Sequence, residues 1–227
     1  MFKTSNNAVA TLIVAALGLA SATASAAVIL DGTSAGYYNS GIGTSLDTAG
    51  VNDPFPCANV ACGDATVNYP TAPNLAAAAA ALGTWLNSSA PTGGTWSAAP
   101  VAVPSTWAVN TETAISYAIN AQNGLTNLSL QIGVDNGVFV WLNGTYLFGA
   151  RAPGGSSLGE YTLALANLGP GISYLQILRE DHGGGTGFDI LLTGDFVRDN
   201  SVPEPGTLAL LGLALLGVGA IRRKQVG

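Results

Sequence analysis

Few residues in this chain are equipped for chemistry, and their spacing decides what they can do. The one histidine, His182, follows Glu180 and Asp181 and precedes Gly183-Gly184-Gly185. Ser157 is the centre of Gly155-Ser156-Ser157-Leu158-Gly159, the G-x-S-x-G spacing that presents a nucleophilic serine on a strand–turn–helix elbow. The glycine string after His182 would supply backbone N–H donors for an oxyanion. The context fails on both counts. Ser157 leads into the alternating run Tyr161-Thr162-Leu163-Ala164-Leu165, a strand, and the glycine string follows the serine instead of preceding it. Glycoside cleavage needs two carboxyl groups about 5–9 Å apart across a cleft. Glu112, Glu160 and Glu180 are available, but no spacing pairs them. The residue pattern therefore predicts no catalytic set.

The acids suit ion binding better. Glu180, Asp181 and Asp189 flank a glycine-rich loop, and Asp135 with Asn136 occupies another. Carboxylates on such loops are weak candidates for Ca²⁺, which takes about six to eight oxygen ligands, although no EF-hand spacing is present. Ca²⁺ is the one cofactor these residues suggest. Aromatic rings stack on sugar faces, and four tryptophans are present. Trp141 lies in a strand and Trp85 on a helix, where packing against a core explains them. Trp96 and Trp107 sit among loop residues and, with His182, are the ligand-binding candidates.

These loops need a scaffold, and the pattern around them is mostly strand. Val138 to Leu142 and Thr145 to Phe148 flank Asn143-Gly144, the strongest short hairpin signal. Further strands are predicted over 114–119, 128–134, 161–165, 172–178 and 188–197, with a turn at Gly169-Pro170-Gly171. One helix is predicted over 75–86, capped by Asn74, and 87–105 reads as a Pro-, Gly- and Ser-rich loop. Short strands at regular spacing without βαβ alternation predict a mainly β fold, a β-sandwich with one short helix.

Both ends of the chain read as targeting segments. Residues 1–26 carry Lys3, an apolar run and the small residues Ala24 and Ala26, as in a signal peptide cleaved after Ala26. That leaves an exported domain over 27–201, in which Cys57 and Cys62 are the only cysteines. An even pair in an oxidising compartment predicts a disulfide, and two Cys without an adjacent His are too few ligands for zinc. Near the other end, Val202-Pro203-Glu204-Pro205 precedes a Leu-, Gly- and Ala-rich run and then Arg222-Arg223-Lys224. The run predicts a transmembrane helix over about 207–221 with its basic flank in the cytoplasm. Residues 202–227 resemble the PEP-CTERM sorting signal, carried by Pro203, Glu204, Pro205, Arg222, Arg223 and Lys224. The resemblance implies a Gram-negative source, passage through the export machinery, a transient stay in the inner membrane and processing by an exosortase-type enzyme. It also implies a mature form at the cell surface or outside the cell, among bacteria that make extracellular polysaccharide.

A second resemblance covers 107–197. Pro104-Ser105-Thr106-Trp107, Val134-Asp135-Asn136-Gly137, Leu142-Asn143-Gly144, Leu168-Gly169-Pro170-Gly171 and Gly183 to Asp189 recur in an order similar to galactose-binding-type jelly rolls and PA14-like modules. This resemblance implies a jelly-roll sandwich that binds carbohydrate or assembles in a biofilm matrix. The alternatives are an extracellular hydrolase of polysaccharide or esters and a passive structural matrix protein. Charged residues are only 9% of the chain, against roughly 25% in ordinary domains. Residues 27–201 hold 12 acids, three arginines and no lysine, a net charge of −9. That excludes nucleic acid as a partner and leaves neutral glycans, cations or proteins.

Overall fold

Alternation along the strands sorts the side chains onto two faces, and the chain uses it to build two antiparallel sheets. The computed structural model describes residues 26–48, 50, 53–56, 66–152, 154–198 and 211–215. The smaller sheet contains β1 (Ala27–Asp31), β6 (Leu125–Asp135), β9 (Tyr161–Ala164) and β11 (Gly187–Phe196), in the order β1-β11-β6-β9. The larger contains β2 (Ala35–Gly43), β3 (Val67–Asn68), β4 (Val101–Ala102), β5 (Glu112–Asn120), β7 (Gly137–Leu142), β8 (Thr145–Arg151) and β10 (Ile172–Glu180). Its order is β3-β8-β7-β10-β5-β2-β4. The mainly β, two-sheet architecture expected from the sequence is present. β1 to β4 lie outside the predicted strands: β3 and β4 are only two residues each, β4 falling within the 87–105 stretch expected as loop, and Ala35-Gly36-Tyr37-Tyr38-Asn39-Ser40-Gly41 of β2 has no clean apolar alternation.

The core between the sheets is aliphatic: Ile115, Val138, Val140 and Ile177 face Leu130, Ile132, Ile190 and Leu192. The larger sheet is covered on its outer face too. Ala114, Phe139, Trp141 and Leu178 point away from the smaller sheet and meet Ile42, Leu46, Phe55, Tyr69, Leu82 and Trp85. β7 is therefore buried at every position. Its hairpin to β8 turns at Asn143 and Gly144, both left-handed with φ of 50° and 77°, as an Asn-Gly turn requires.

The helix expected over 75–86 is not continuous. A 3₁₀ turn over Ala76–Ala78 runs into α1 (Ala79–Leu82), and a second 3₁₀ turn covers Trp85–Asn87. Gly83 interrupts it with φ +53°, at a point where a Cβ would lie 2.3 Å from the Thr92 carbonyl oxygen. Asn74 does act at the start, its Oδ1 accepting the Ala76 N–H at 3.0 Å. What holds this layer is Trp85, 1% exposed, whose indole N–H donates to the Ile115 carbonyl at 3.0 Å. Its ring meets Trp141 edge-on at 5.2 Å.

Residues 211–215 are helical, and among the described residues no helix is long and apolar enough to cross a membrane. The remainder of the expected 207–221 span, the signal segment 1–25, the sorting motif and both cysteines lie outside the described residues. Replacing Trp85 by alanine should detach the layer formed by 75–96. The expected loss is about 3–5 kcal/mol in a urea titration, with new proteolytic cleavage confined to that layer.

Candidate functional site

Six connections pass between the sheets, and two of them lie side by side at one end of the sandwich. β6 passes to β7 through Asn136, and β10 passes to β11 through residues 181–186. The registers Gly187↔Asp135 and Glu180↔Gly137 place the crossings side by side. The peptide bond between Asp135 and Asn136 is cis. The connection joining β4 to β5 completes this end, with Asn110 in the left-handed region at φ 59°. Asn and Asp tolerate that conformation better than most residues.

Three of these segments meet at Asp181, which is 2% exposed. Its Oδ2 accepts the Asn110 N–H and, at 3.3 Å, the Gly183 N–H. Its Oδ1 and the Asn110 Oδ1 are buried without a hydrogen-bond partner among the described residues. Asn136 Oδ1 accepts the His182 N–H at 3.3 Å. Burial raises the Asp181 pKa, and the Asp135 charge raises it further, against the two N–H donors that lower it. Burial also raises Glu160, whose Oε2 accepts the Val134 N–H at 3.1 Å, and Asp135 adds to that shift. Asp135 is thus electrostatically coupled to two neighbouring acids, a repulsion that a divalent cation relieves.

The other expected residues are placed differently. Glu180 turns to the outer face of the larger sheet and forms a row with Gly137, Arg151 and Glu112 on adjacent strands. A Cβ on Gly137 would lie 2.5 Å from the Glu180 Oε2, so glycine there admits the carboxyl group. Burial raises Glu180, while His182 and Arg151 act to lower it. His182 is 1% exposed, with Nδ1 2.8 Å from Glu180 Oε1. Asp189 lies on β11, and its Oδ1 accepts the Ile190 N–H at 2.8 Å. Ser157 is exposed in a loop followed by β9, not by a helix, so the elbow geometry does not form. Trp96 is half-buried, its indole N–H donating to Leu82 at 2.9 Å. Trp107 is also half-buried, with its indole N–H on Thr111 at 2.8 Å and the Arg179 guanidinium 4.3 Å from its ring centre.

Sequence reasoning missed Arg179, Asn110 and Thr186. Arg179 is wholly buried among Trp107, Phe188 at 4.9 Å and Tyr38 at 5.5 Å. Burial pushes its pKa down to about 10, which still leaves it cationic at neutral pH. The alternation of β10 was the available signal: Leu175, Ile177 and Arg179 share the inward face. Among the described residues no group of three or more His, Cys, Asp or Glu is placed to hold a metal ion. A Ca²⁺ ion here would combine the Asp135 and Asp181 carboxylates with amide, carbonyl, water or ligand oxygens, a donor set that hard oxygen-seeking cations accept.

The chain carries a PEP-CTERM protein-sorting motif, matched over residues 201–224. No curated protein matches the chain. Two solved structures are similar to it, and both are PA14 domains, the class that the sequence resembles. The PA14 sugar-binding domain from an RTX adhesin has 17% identity and a TM-score of 0.29, and covers 44% of this chain. The chain spans about half of that domain's length, 52%. The PA14 domain of the MpAFP antifreeze protein has 15% identity and a TM-score of 0.34, covering 79% of this chain and 88% of that one. At these scores neither likeness bears on the reading of the site.

The buried row also makes stability depend on pH. Burial, then the charge of Asp47, pushes the Glu112 carboxyl up to about 9 from an ordinary 4.5. It keeps its proton at neutral pH. The folded chain holds that proton where the unfolded chain has lost it. This contribution is complete below pH about 4.5 and disappears as pH rises through 9. Melting temperature should therefore fall between pH 6 and 9. Glu112→Gln should flatten that fall when the two proteins are melted side by side, and an unchanged slope would exclude Glu112 as its source.

Proposed function

We propose that this protein is exported, sorted to the outer surface by its PEP-CTERM motif, and binds neutral carbohydrate there without catalysis, through a Ca²⁺ ion held at the loop end of the sandwich. The buried, unpartnered Oδ1 atoms of Asp181 and Asn110, two residues joined by the Asn110 N–H to Asp181 Oδ2 hydrogen bond, carry this reading. A buried oxygen without a hydrogen bond costs about 1–3 kcal/mol, and a bound cation satisfies it. Asp135 and Asp181 supply the charge, and vicinal sugar hydroxyls complete the oxygen shell. The acidic, lysine-free surface of 27–201 supports a neutral ligand over a polyanion. The exposed loop position of Ser157 and the burial of His182 support a non-catalytic role.

The sorting motif supports the route: signal-peptide cleavage after Ala26, transit of the inner membrane in a Gram-negative cell, and processing near Pro203 by an exosortase-type enzyme. Extracellular polysaccharide is then the ligand nearest to hand, and a biofilm matrix the place of action. A disulfide between Cys57 and Cys62 belongs to the same exported reading.

Full-length protein in detergent, applied to a glycan array, should bind a neutral glycan with Ca²⁺ and release it in EDTA. Asp181→Asn should weaken that binding at least tenfold. Binding to no glycan in either condition would leave a structural matrix protein as the better account. Mass spectrometry of the surface form should show a chain lacking Arg222–Lys224; an intact tail there would contradict processing.

A further inference from the structure

The connection from Pro104 to Thr111 lies outside both sheets, yet it delivers Asn110 to Asp181. At its base, Arg179 donates from Nη1 to the Pro104 carbonyl at 2.8 Å and from Nε to Thr113 Oγ1 at 3.0 Å. The guanidinium also supports the Trp107 ring from below. Those contacts tie the connection to the sheet but not to the opposite loop.

Thr186 makes that second tie. Its hydroxyl accepts the Trp107 N–H at 2.9 Å and donates to the Trp107 carbonyl at 2.9 Å. One hydroxyl thus satisfies both backbone groups of a residue in an irregular segment, where no strand neighbour is available. Thr186 precedes Gly187, which pairs with Asp135. Asp135, Thr186, Trp107, Asn110 and Asp181 consequently form a closed circuit around the site.

We propose that Thr186 is a positioning residue for the cation site: it holds the 104–111 connection in place so that Asn110 stays on Asp181 before any ligand arrives. The inference depends on the Ca²⁺ reading given above. Apparent affinity scales with the fraction of molecules in which the site is assembled, so losing the tie weakens binding by the inverse of that fraction. If the connection is in place about one-tenth of the time without the hydroxyl, Ca²⁺ binds about tenfold more weakly.

Full-length wild type, Thr186→Val and Thr186→Ser would be compared in detergent by two measurements. Amide hydrogen exchange in EDTA reads the tie without the metal. Thr186→Val should speed exchange at Trp107 and Asn110 at least tenfold while the β10 amides stay protected, and Thr186→Ser should exchange like wild type. Calorimetric titration with CaCl₂ should show Thr186→Val about tenfold weaker and Thr186→Ser within about twofold of wild type. Unchanged exchange in Thr186→Val, or serine behaving like valine, overturns the positioning role. A wild type that takes up no Ca²⁺ while Asn110 exchange still responds to Thr186→Val overturns the Ca²⁺ reading, leaving the circuit purely structural. Should the valine protein fail to fold, Thr186→Ser against Thr186→Ala in the same two measurements carries the same comparison.

Discussion

A seven-stranded sheet buried on both faces constrains everything else in this molecule. Sheets of this kind usually leave one face to water and take polar residues there. Here Ile42, Leu46, Phe55, Tyr69, Leu82 and Trp85 cover the outer face, so β7 and β10 have no solvent side along most of their length. A polar residue on either strand must find its partners inside the protein. Gln176 does so by bridging the Gly144 N–H and the Trp85 carbonyl, which ties the covering layer to the hairpin turn. Glu180, Arg151, Glu112 and Asp47 gather at the end of the same face, close enough for their charges to act on one another.

Charge is scarce in this chain, and the fold places much of it out of reach. Two of the three arginines in 27–201, Arg151 and Arg179, are fully buried. One lies on the outer face beside Glu180, with Nη1 3.3 Å from the Asp53 carbonyl. The other lies on the inner face within an aromatic cage. A guanidinium tolerates such a cage because it is planar and weakly hydrated, which a lysine ammonium is not. With these cations withdrawn, the outward field of the domain is set by acids. That field favours cations and leaves neutral ligands unhindered, while it repels polyanions.

The sequence disclosed the strands better than the contacts between them. Asn143-Gly144 announced its hairpin because only a left-handed pair closes that turn, and the C-terminal strands alternated clearly. The 75–86 segment misled because six consecutive alanines favour a helix locally, whereas Gly83 and the approach of Thr92 decide otherwise. Pairing of distant residues had no local signature at all. Asn110 and Asp181 are 71 positions apart, and Trp107 and Thr186 are 79 apart. Their encounter follows from two crossings that fall at one end, a property of register that a single sequence does not display. Trp96 and Trp107 lie outside the named strands, but their indole N–H groups are spent on backbone carbonyls within the domain.

Strand β11 connects the two functions proposed for the chain. It starts at Gly187, beside Asp135, and ends at Phe196, opposite Leu125. At about 3.3 Å per residue, ten strand residues separate those ends by roughly 30 Å. Val197 is still held there, its N–H donating to the Gly124 carbonyl at 2.9 Å. The sorting motif begins only a few residues later, at 201. The chain therefore leaves the sandwich toward that motif from the end opposite the loops that gather Asp135, Asn110 and Asp181. A sorting enzyme engaging the tail and a ligand engaging the loops approach different ends of one hydrogen-bonded strand. On the proposed reading neither has to displace the other.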